Sequence, residues 1–578
     1  MEQNKREHIR VLFLLLTSFA MVAWTIGING LLYGDYTYLA RARFDSYENL
    51  LAILPAGSYN DHSVGLVFLK LLNQVFGDSY GSYHIVAVLV HLWNVYLVYR
   101  VVDMGLERFR LKNEQYAFMA AAIFGVYPGG LFSVQWISAI CNIQCCNFAL
   151  LSIWGYLKSR EEKEQYTGFF AVFSFFTYWI SLRCSELALT IPVILLIYEV
   201  AVFLKKKKKA KQYKTLIAML LFMVAYAALL YVKGSTASGF GDSYYTSLSP
   251  IVAIKNLFVY LAMYFDVMDA QMFYSEMKDG HVIALGFFGA VFIFSIADAI
   301  MRKKAYTLLV FVMVVCSLGM ALPLENTSQQ MSNLYLPAVF ISMYLALLIK
   351  NYAERLKIEN MTYICATVLV GCGILYWAPG NVALREQWLE TAAKDKDIRA
   401  SIVKLDGVRS YTTFYVEDGT EGYDAFSFGP GHILNLLYDD YTIDCQMVEG
   451  LPENPAIPYV YARFQDGVLQ EIERNELYWS KLQIEKLTKE VIDSQAGADA
   501  FNVGVIYEQP YNTVLCKGLV FDDMQVRING EEIPSVWGEN FVSFAVPEEL
   551  RQPGTTIEVS LYSATAGGES TRKTIEIK

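Results

Sequence analysis

Between Val11 and Pro379 the chain alternates apolar runs of about twenty residues with short polar connections, the length that crosses a hydrocarbon core as a helix. Spans are expected at about 11–32, 84–104, 116–135, 138–157, 166–183, 186–204, 215–232, 281–301, 305–324, 332–350 and 361–379. The basic segments GLERFRLKN, KSREEKE, KKKKKAKQYK, RKK and KNYAERLK then all fall on one side, which the positive-inside rule makes cytoplasmic. Lys5, Arg6 and Arg10 precede the first run, and no small-residue cleavage site follows it, so it reads as an uncleaved anchor with a cytoplasmic N-terminus. The run Ile251 to Ala270 reads as an interfacial helix, because a full crossing there would put Arg302, Lys303 and Lys304 on the outer side.

After Pro379 the hydropathy collapses. Residues 381–578 carry 17 Lys+Arg against 33 Asp+Glu, a net of −16, whereas the whole chain is −10, so residues 1–380 carry +6. An acidic extracytoplasmic module therefore follows a membrane domain with basic loops, and neither half has the basic, aromatic-interleaved surface of a nucleic-acid binder. The expected division is a transmembrane domain at 1–380, a mixed α/β region at 381–497 and a small β-sandwich at 498–578. Helix is expected at 383–403, near His432 and at 475–493, with strands at TTFYV and YVYARF. The last part has short strands at regular spacing, separated by turn signals. Its stretch FDDMQVRINGEEIPSVWGENFVSFAVPEEL resembles the immunoglobulin-like TIG modules, which implies a binding or spacing element. Seven cysteines lie in or beside apolar runs as small hydrophobes; Cys445 and Cys516 are expected to be free, and no CxxC pair or His cluster marks a zinc site.

The chemistry is concentrated in the first outer connection, Leu31 to Gly65. It opens on Asp35 and adds Arg41, Arg43, Asp45, Glu48 and Asp61. A carboxylate at the exit of a span is costly without a partner or a reaction to perform, which favours a site role for Asp35 over a helix cap. Arg41 and Asp45 are four apart and read as a surface pair. Asp61 divides evenly between a site acid and a turn residue. His84 and His91 share a helical face with Asn94 and read first as hydrogen-bonding residues between helices. Glu186 inside an apolar run favours function, whereas the lysines at 205–209 mark topology and contact anionic lipid.

Four segments in register, YHIVAVLVHLWNVYLVYRV, AAIFGVYPGGLFSVQWISA, SELALTIPVILLIYE and NLYLPAV, resemble the GT-C-type glycosyltransferases. The nearest branch is the polyprenyl- or dolichyl-phosphate-mannose protein O-mannosyltransferases, over roughly residues 30–350. The resemblance implies a polytopic helical GT-C fold that takes a sugar from a polyprenyl-phosphate carrier and places it on a glycan or protein outside the cytoplasm. A first-loop acid would be the general base, and cations would stabilise the leaving phosphate. Asp35 matches that acid, His84, His91 and Asn94 match the second-span pattern, and Glu186 matches the acid of a Lys-Glu pair. The departures are mostly lost cations. His62-Ser63 stands for Arg-Pro, Ile140 and Asn142 for an Arg and an Asp, Ser185 for Lys and Ser332 for Arg, while Gly34 replaces a second loop acid. Arg183, three residues before Glu186, would share its helical face if one helix carried both; Arg41, Arg43, Lys233 and Lys255 are the other replacements. The expected site is therefore Asp35, Asp61 and Glu186 for catalysis, with Arg41, Arg43, His62, His91, Arg183 and Lys255 on the substrate. No metal ligand set is read, and a divalent metal stays open beside the lipid-linked sugar. Two other classes compete: a non-catalytic relative that binds or scaffolds lipid-linked glycan, favoured by the lost cations, and a transporter, which predicts internal repeats and broken helices that the sequence does not display.

Overall fold

The structure, a computed structural model, describes residues 2–31, 35–52, 62–107, 114–161, 165–206, 213–236, 249–265, 305–323 and 331–356, with short pieces between 293 and 301 and most of 385–396. Further on it describes 412–418, 430–452, 458–465, 468–475, 483–486, 502–508, 525–537, 541–550, 554–564 and 568–576 apart from 570 and 571, with a few single positions. The chain divides into two compact units, Met1–Lys394 and Asp395–Lys578.

The first unit is helical. Helix α1 (Glu2–Val22) ends in a 3-10 turn at Ala23–Gly27, and α2 (Asp35–Phe44), α3 (Tyr47–Leu51) and α4 (Ser63–Phe76) form the first connection. Then come α5 (Tyr80–Glu107), α6 (Glu114–Val126), α7 (Pro128–Gln135), α8 (Ile140–Ser159), α9 (Thr167–Cys184), α10 (Ile191–Lys206), α11 (Lys214–Thr236), α12 (Pro250–Phe265), α13 (Ala305–Ser317) and α14 (Tyr335–Leu356). Among the described residues five helical stretches are long and apolar enough to cross a membrane: His8–Gly27, Tyr80–Glu107, Ile140–Ser159, Glu186–Phe203 and Met331–Asn351. These do not make up the eleven expected spans; those at 281–301 and 361–379 lie almost wholly outside the described residues. The span expected at 116–135 is two helices. Pro128 lacks the N–H that would continue α6 and holds Tyr127 extended (φ −87°, ψ 124°), so the chain restarts as α7. Helix α12 has 16 residues, about 24 Å of rise, short of a full hydrocarbon core.

The outward faces are as apolar as the inward ones, the pattern of helices solvated by lipid. On α1, Ile9, Leu12, Phe13, Leu16 and Phe19 are exposed while Leu14, Ser18 and Val22 are buried. Inside, large side chains such as Phe124, Tyr156, Tyr178, Tyr335 and Tyr344 join α5, α6, α8, α9, α10 and α14 in one core. Helices α8 and α9 approach closely through small polar residues. The Ser152 and Ser174 hydroxyls each donate to the other's carbonyl at 2.8 Å, and Ser181 donates to the Cys145 carbonyl at 2.7 Å. Such bonds substitute for the hydrophobic effect, which does not act between helices in lipid. Trp388 and Ala392 pack with Ile28, and Phe132 meets the Trp388 ring edge-on at 5.3 Å.

The second unit holds three sheets. In the first, β1 (Thr413–Asp418) lies between β2 (Asp444–Met447) and β3 (Tyr459–Gln465), parallel to both, and β4 (Val468–Asn475) pairs antiparallel with β3. Helix Pro430–Tyr438 makes the crossover from β1 to β2 that parallel strands require, and the Phe414 and Tyr438 rings meet at 5.7 Å. The second sheet runs β5 (Gln483–Lys486), β6 (Asn502–Glu508), β10 (Phe541–Ala545), β9 (Ser535–Trp537). The third runs β12 (Gly568–Glu569), β11 (Thr556–Ser563), β7 (Gln525–Ile528), β8 (Glu531–Ile533), with β13 (Lys573–Glu576) also on β11. Asn529 and Gly530, at φ 51° and 91°, turn β7 into β8 with the left-handed pair that suits a two-residue hairpin. The helix expected at 475–493 is replaced, at 483–486, by a strand bonded along β6; the rest of that stretch lies outside the described residues. The pairing partner overrides a locally helical composition there. Cys445 is buried on β2, and Cys516 lies outside the described residues.

Candidate active site

Asp35 opens α2, where a carboxylate is favoured by the helix's own N-terminal field. It is 1% exposed, and its Oδ1 accepts the Ser138 N–H at 2.7 Å. That bond ties the first outer connection to the turn between α7 and α8, within the segment that resembles the family's Trp-Ile-Ser turn. Asn142 sits in the first turn of α8 with its side-chain oxygen buried and without a hydrogen-bond partner among the described residues.

Helix α4 reaches the same region from the other side. A Cβ on Gly65 would stand 2.5 Å from Cys141 Sγ, so only glycine lets α4 lie on the start of α8. His62 precedes α4 in a left-handed conformation (φ 52°); its Nδ1 is 2.8 Å from the Cys184 carbonyl and its ring 6.0 Å from that of Tyr38. Arg183 is buried and spans the loop's two ends. Its Nε donates to Ser63 Oγ at 2.9 Å, and its Nη1 and Nη2 donate to the Ala52 and Leu50 carbonyls at 2.7 and 3.2 Å. The guanidinium thus pins the end of α3 to the start of α4. Asp61, between these ends, lies outside the described residues.

Glu186 is half-buried two residues beyond the end of α9. The single helical face expected for Arg183 and Glu186 does not form. Ser185 is extended (φ −165°, ψ 141°), and its hydroxyl caps a 3-10 turn that starts at Glu186, so the two side chains belong to different elements. Arg41 lies 3.8 Å from Asp45 in the expected surface pair, and Arg43 is half-buried in the last turn of α2. Lys255 is exposed on α12.

His91 and Asn94 are fully buried. His91 Nδ1 is 2.7 Å from the Tyr335 hydroxyl, and Asn94 Nδ2 donates to that hydroxyl at 3.3 Å and to the Ile143 carbonyl at 3.2 Å. Residues from the second-span segment and from the Tyr-Leu-Pro segment therefore meet in one polar cluster across α5, α8 and α14. The structure gives His91 a bridging role between helices.

Lys70 was not singled out in the sequence. It is 9% exposed, and its ammonium donates to the Ala42, Arg43 and Asp45 carbonyls at 3.1, 2.9 and 2.8 Å. It closes the C-terminus of α2, where the helix leaves carbonyls unpaired and a cation is favoured. The legible signal was a lone lysine on the otherwise apolar buried face of α4. Among the described residues, no three His, Cys, Asp or Glu side chains converge as metal ligands.

No protein-family model and no curated protein matches the chain. Two solved structures of the oligosaccharyltransferase of Archaeoglobus fulgidus align with 75% of it, at 11% and 10% identity and a TM-score of 0.39. One is the apo form, and the other is AglB with an inhibitory peptide and a dolichol-phosphate. This chain covers 64% of the length of each.

Proposed function

We propose that this chain is an integral-membrane glycosyltransferase of GT-C type, which moves a sugar from a polyprenyl-phosphate donor to a glycan or protein acceptor outside the cytoplasm. The observation that carries the reading is the Asp35–Ser138 bond, which places a buried acid of the first connection on the turn before α8. In this reading Asp35 takes the proton of the acceptor hydroxyl as its oxygen attacks the sugar's anomeric carbon, and the polyprenyl phosphate leaves. The leaving phosphate needs preorganised positive charge. Arg41 and Arg43 stand about 9 and 12 Å along α2 from Asp35. Arg41's half-buried pair with Asp45 is long, at 3.8 Å, and of a kind worth little, so a phosphate can displace it. The basic connections face the cytoplasm in this reading, and the acidic module lies outside, where protease added to intact cells releases it.

A second reading, a non-catalytic relative that binds or scaffolds lipid-linked glycan, is favoured by the use of Arg183. Its guanidinium donates to two backbone carbonyls and Ser63, and it holds a loop together. The experiment is sugar transfer and donor binding by the full chain in proteoliposomes, with synthetic polyprenyl-phosphate sugars. Transfer that is lost in Asp35→Asn and weakened in Arg41→Gln supports the enzyme. Donor binding without transfer supports the second reading, and failure to bind any lipid-phosphate sugar refutes both.

A further inference from the structure

Around the turn that holds Asp35, three polar side chains are buried with atoms that no hydrogen bond satisfies. Gln135 ends α7, three residues before Ser138, and its Oε1 has no partner among the described residues. Asn142 follows four residues after Ser138, with its Oδ1 in the same state. The ring of His84, on α5, lies beside the carbonyl of Val134, the residue before Gln135, but short of hydrogen-bond geometry. Neither of its nitrogens is bonded among the described residues. All three side chains are more than nine-tenths buried. Deeper on α5 the polar residues behave otherwise: His91 and Asn94 both engage the Tyr335 hydroxyl. Ser138 N–H anchors the Asp35 carboxylate, and chain length alone keeps the Cα atoms of Gln135 and Asn142 within about 11 and 14 Å of that anchor. A native fold rarely strands buried polar atoms, and three groups around one turn mark where a partner from outside the chain belongs.

The chemistry of these atoms selects the partner. Two amide oxygens must receive hydrogens, and amide and neutral imidazole groups each both donate and accept. Sugar hydroxyls match that pattern. An ionised phosphate offers acceptors only and would leave both amide oxygens unsatisfied. Position then selects which sugar. In the proposed reaction the acceptor oxygen loses its proton to Asp35 as it attacks the anomeric carbon, so the ring being transferred stands at the turn that holds Asp35. We propose that Gln135, Asn142 and His84 bind the hydroxyls of the donor sugar. The turn between α7 and α8 is then the sugar-recognition site, distinct from the cations that serve the phosphate. The inference rests on the proposed sugar transfer and adds to it the residues that distinguish a sugar from the bare carrier.

The test is binding by the full chain in nanodiscs of polyprenyl phosphate, its glucosyl and mannosyl esters, and its cyclohexyl ester, a ring without hydroxyls. Wild type is expected to bind one of the glycosyl esters roughly tenfold or more tightly than the cyclohexyl ester. Gln135→Met, Asn142→Leu and His84→Phe are each expected to lose most of that preference while binding bare polyprenyl phosphate as wild type does. Each substitution removes a stranded polar atom, so the melting temperature without ligand is expected to hold or rise. A structural role, through a trapped water, would lower it. Equal binding of the glycosyl and cyclohexyl esters by wild type overturns the inference and leaves carrier binding intact, and this comparison requires no variant to fold. Variants that keep the preference, or that melt several degrees below wild type without ligand, also overturn it. Failure of every polyprenyl phosphate to bind refutes the proposed function, and this inference with it.

Discussion

Asp35→Asn separates structure from chemistry, because the amide keeps the oxygen that Ser138 N–H bonds at 2.7 Å. A hydrogen bond to a charged group contributes about 1.5–3 kcal/mol and a neutral one about 0.5–1.5, so the bond weakens by roughly 1 kcal/mol. The charge at the first turn of α2 is worth a further 0.3–1 kcal/mol, roughly. Removing a negative charge that is 1% exposed offsets part of both losses. The net loss of stability is therefore about 1 kcal/mol, and insertion is expected to be normal. Loss of a general base costs about 10²–10⁴ in rate. The signature is a hundredfold or greater loss of transfer from a polyprenyl-phosphate sugar, beside a melting temperature within a few degrees of wild type. Asp35→Ala also leaves the buried Ser138 N–H unsatisfied, so it should melt lower by about 1–3 kcal/mol more without a matching further loss of rate. An asparagine variant that transfers sugar within threefold of wild type would refute Asp35 as the base.

Arg183→Met is expected to lower stability by about 3 kcal/mol, because it strands the Leu50 and Ala52 carbonyls that the guanidinium serves; hydrogen exchange should rise first in α3 and the start of α4. Gly65→Val should fail to give a monodisperse protein, since its Cβ falls 2.5 Å from Cys141 Sγ, while the double variant with Cys141→Ala should recover part of the yield. In the third sheet of the second unit, the Ser560 hydroxyl and then Arg572 hold the Glu569 carboxyl below its ordinary value of 4.5. A depressed folded-state value gives stability that is present above 4.5 and is lost as pH falls through the lowered value. Glu569→Gln should therefore exchange β11 amides slightly faster than wild type at pH 7, and the difference should close on acidification below 4.5; a difference that widens instead contradicts the sign.

The helical half was legible in its broad lines because spacing and charge report the same thing there. Apolar runs set where α1, α5, α8, α10 and α14 fall, and the basic connections between them are read without a tertiary fold. What escaped depends on single backbone events. Pro128 ends α6, and an extended Ser185 separates Arg183 from Glu186, neither of which changes the local hydropathy. Asp35, His91 and Asn94 could be singled out because polar groups among apolar ones are conspicuous, but Ser138 and Tyr335, their partners, look ordinary. Lys70 escaped because its acceptors are backbone carbonyls, which no side-chain pattern announces. The strand at 483–486 escaped because what defines it is its partner β6, some twenty residues further on.

The α8–α9 hairpin also bears on how the chain is made. Arg160, in its turn at the end of α8, grips Glu199 of α10 with two bonds, Nε to Oε1 at 3.0 Å and Nη2 to Oε2 at 2.6 Å, and Tyr156 donates to the same carboxylate. Both side chains are nearly sealed from the surroundings, at 5% and 8% exposure. An acid on an otherwise apolar segment opposes its entry into lipid, and the pair is neutral only as a unit. Synthesis runs from the N-terminus, so the arginine is in place 39 residues before the glutamate emerges. The ribosome thus delivers α10 to a membrane that already contains its counter-charge, and the order of translation removes a barrier that the same helix, arriving alone, would have to climb.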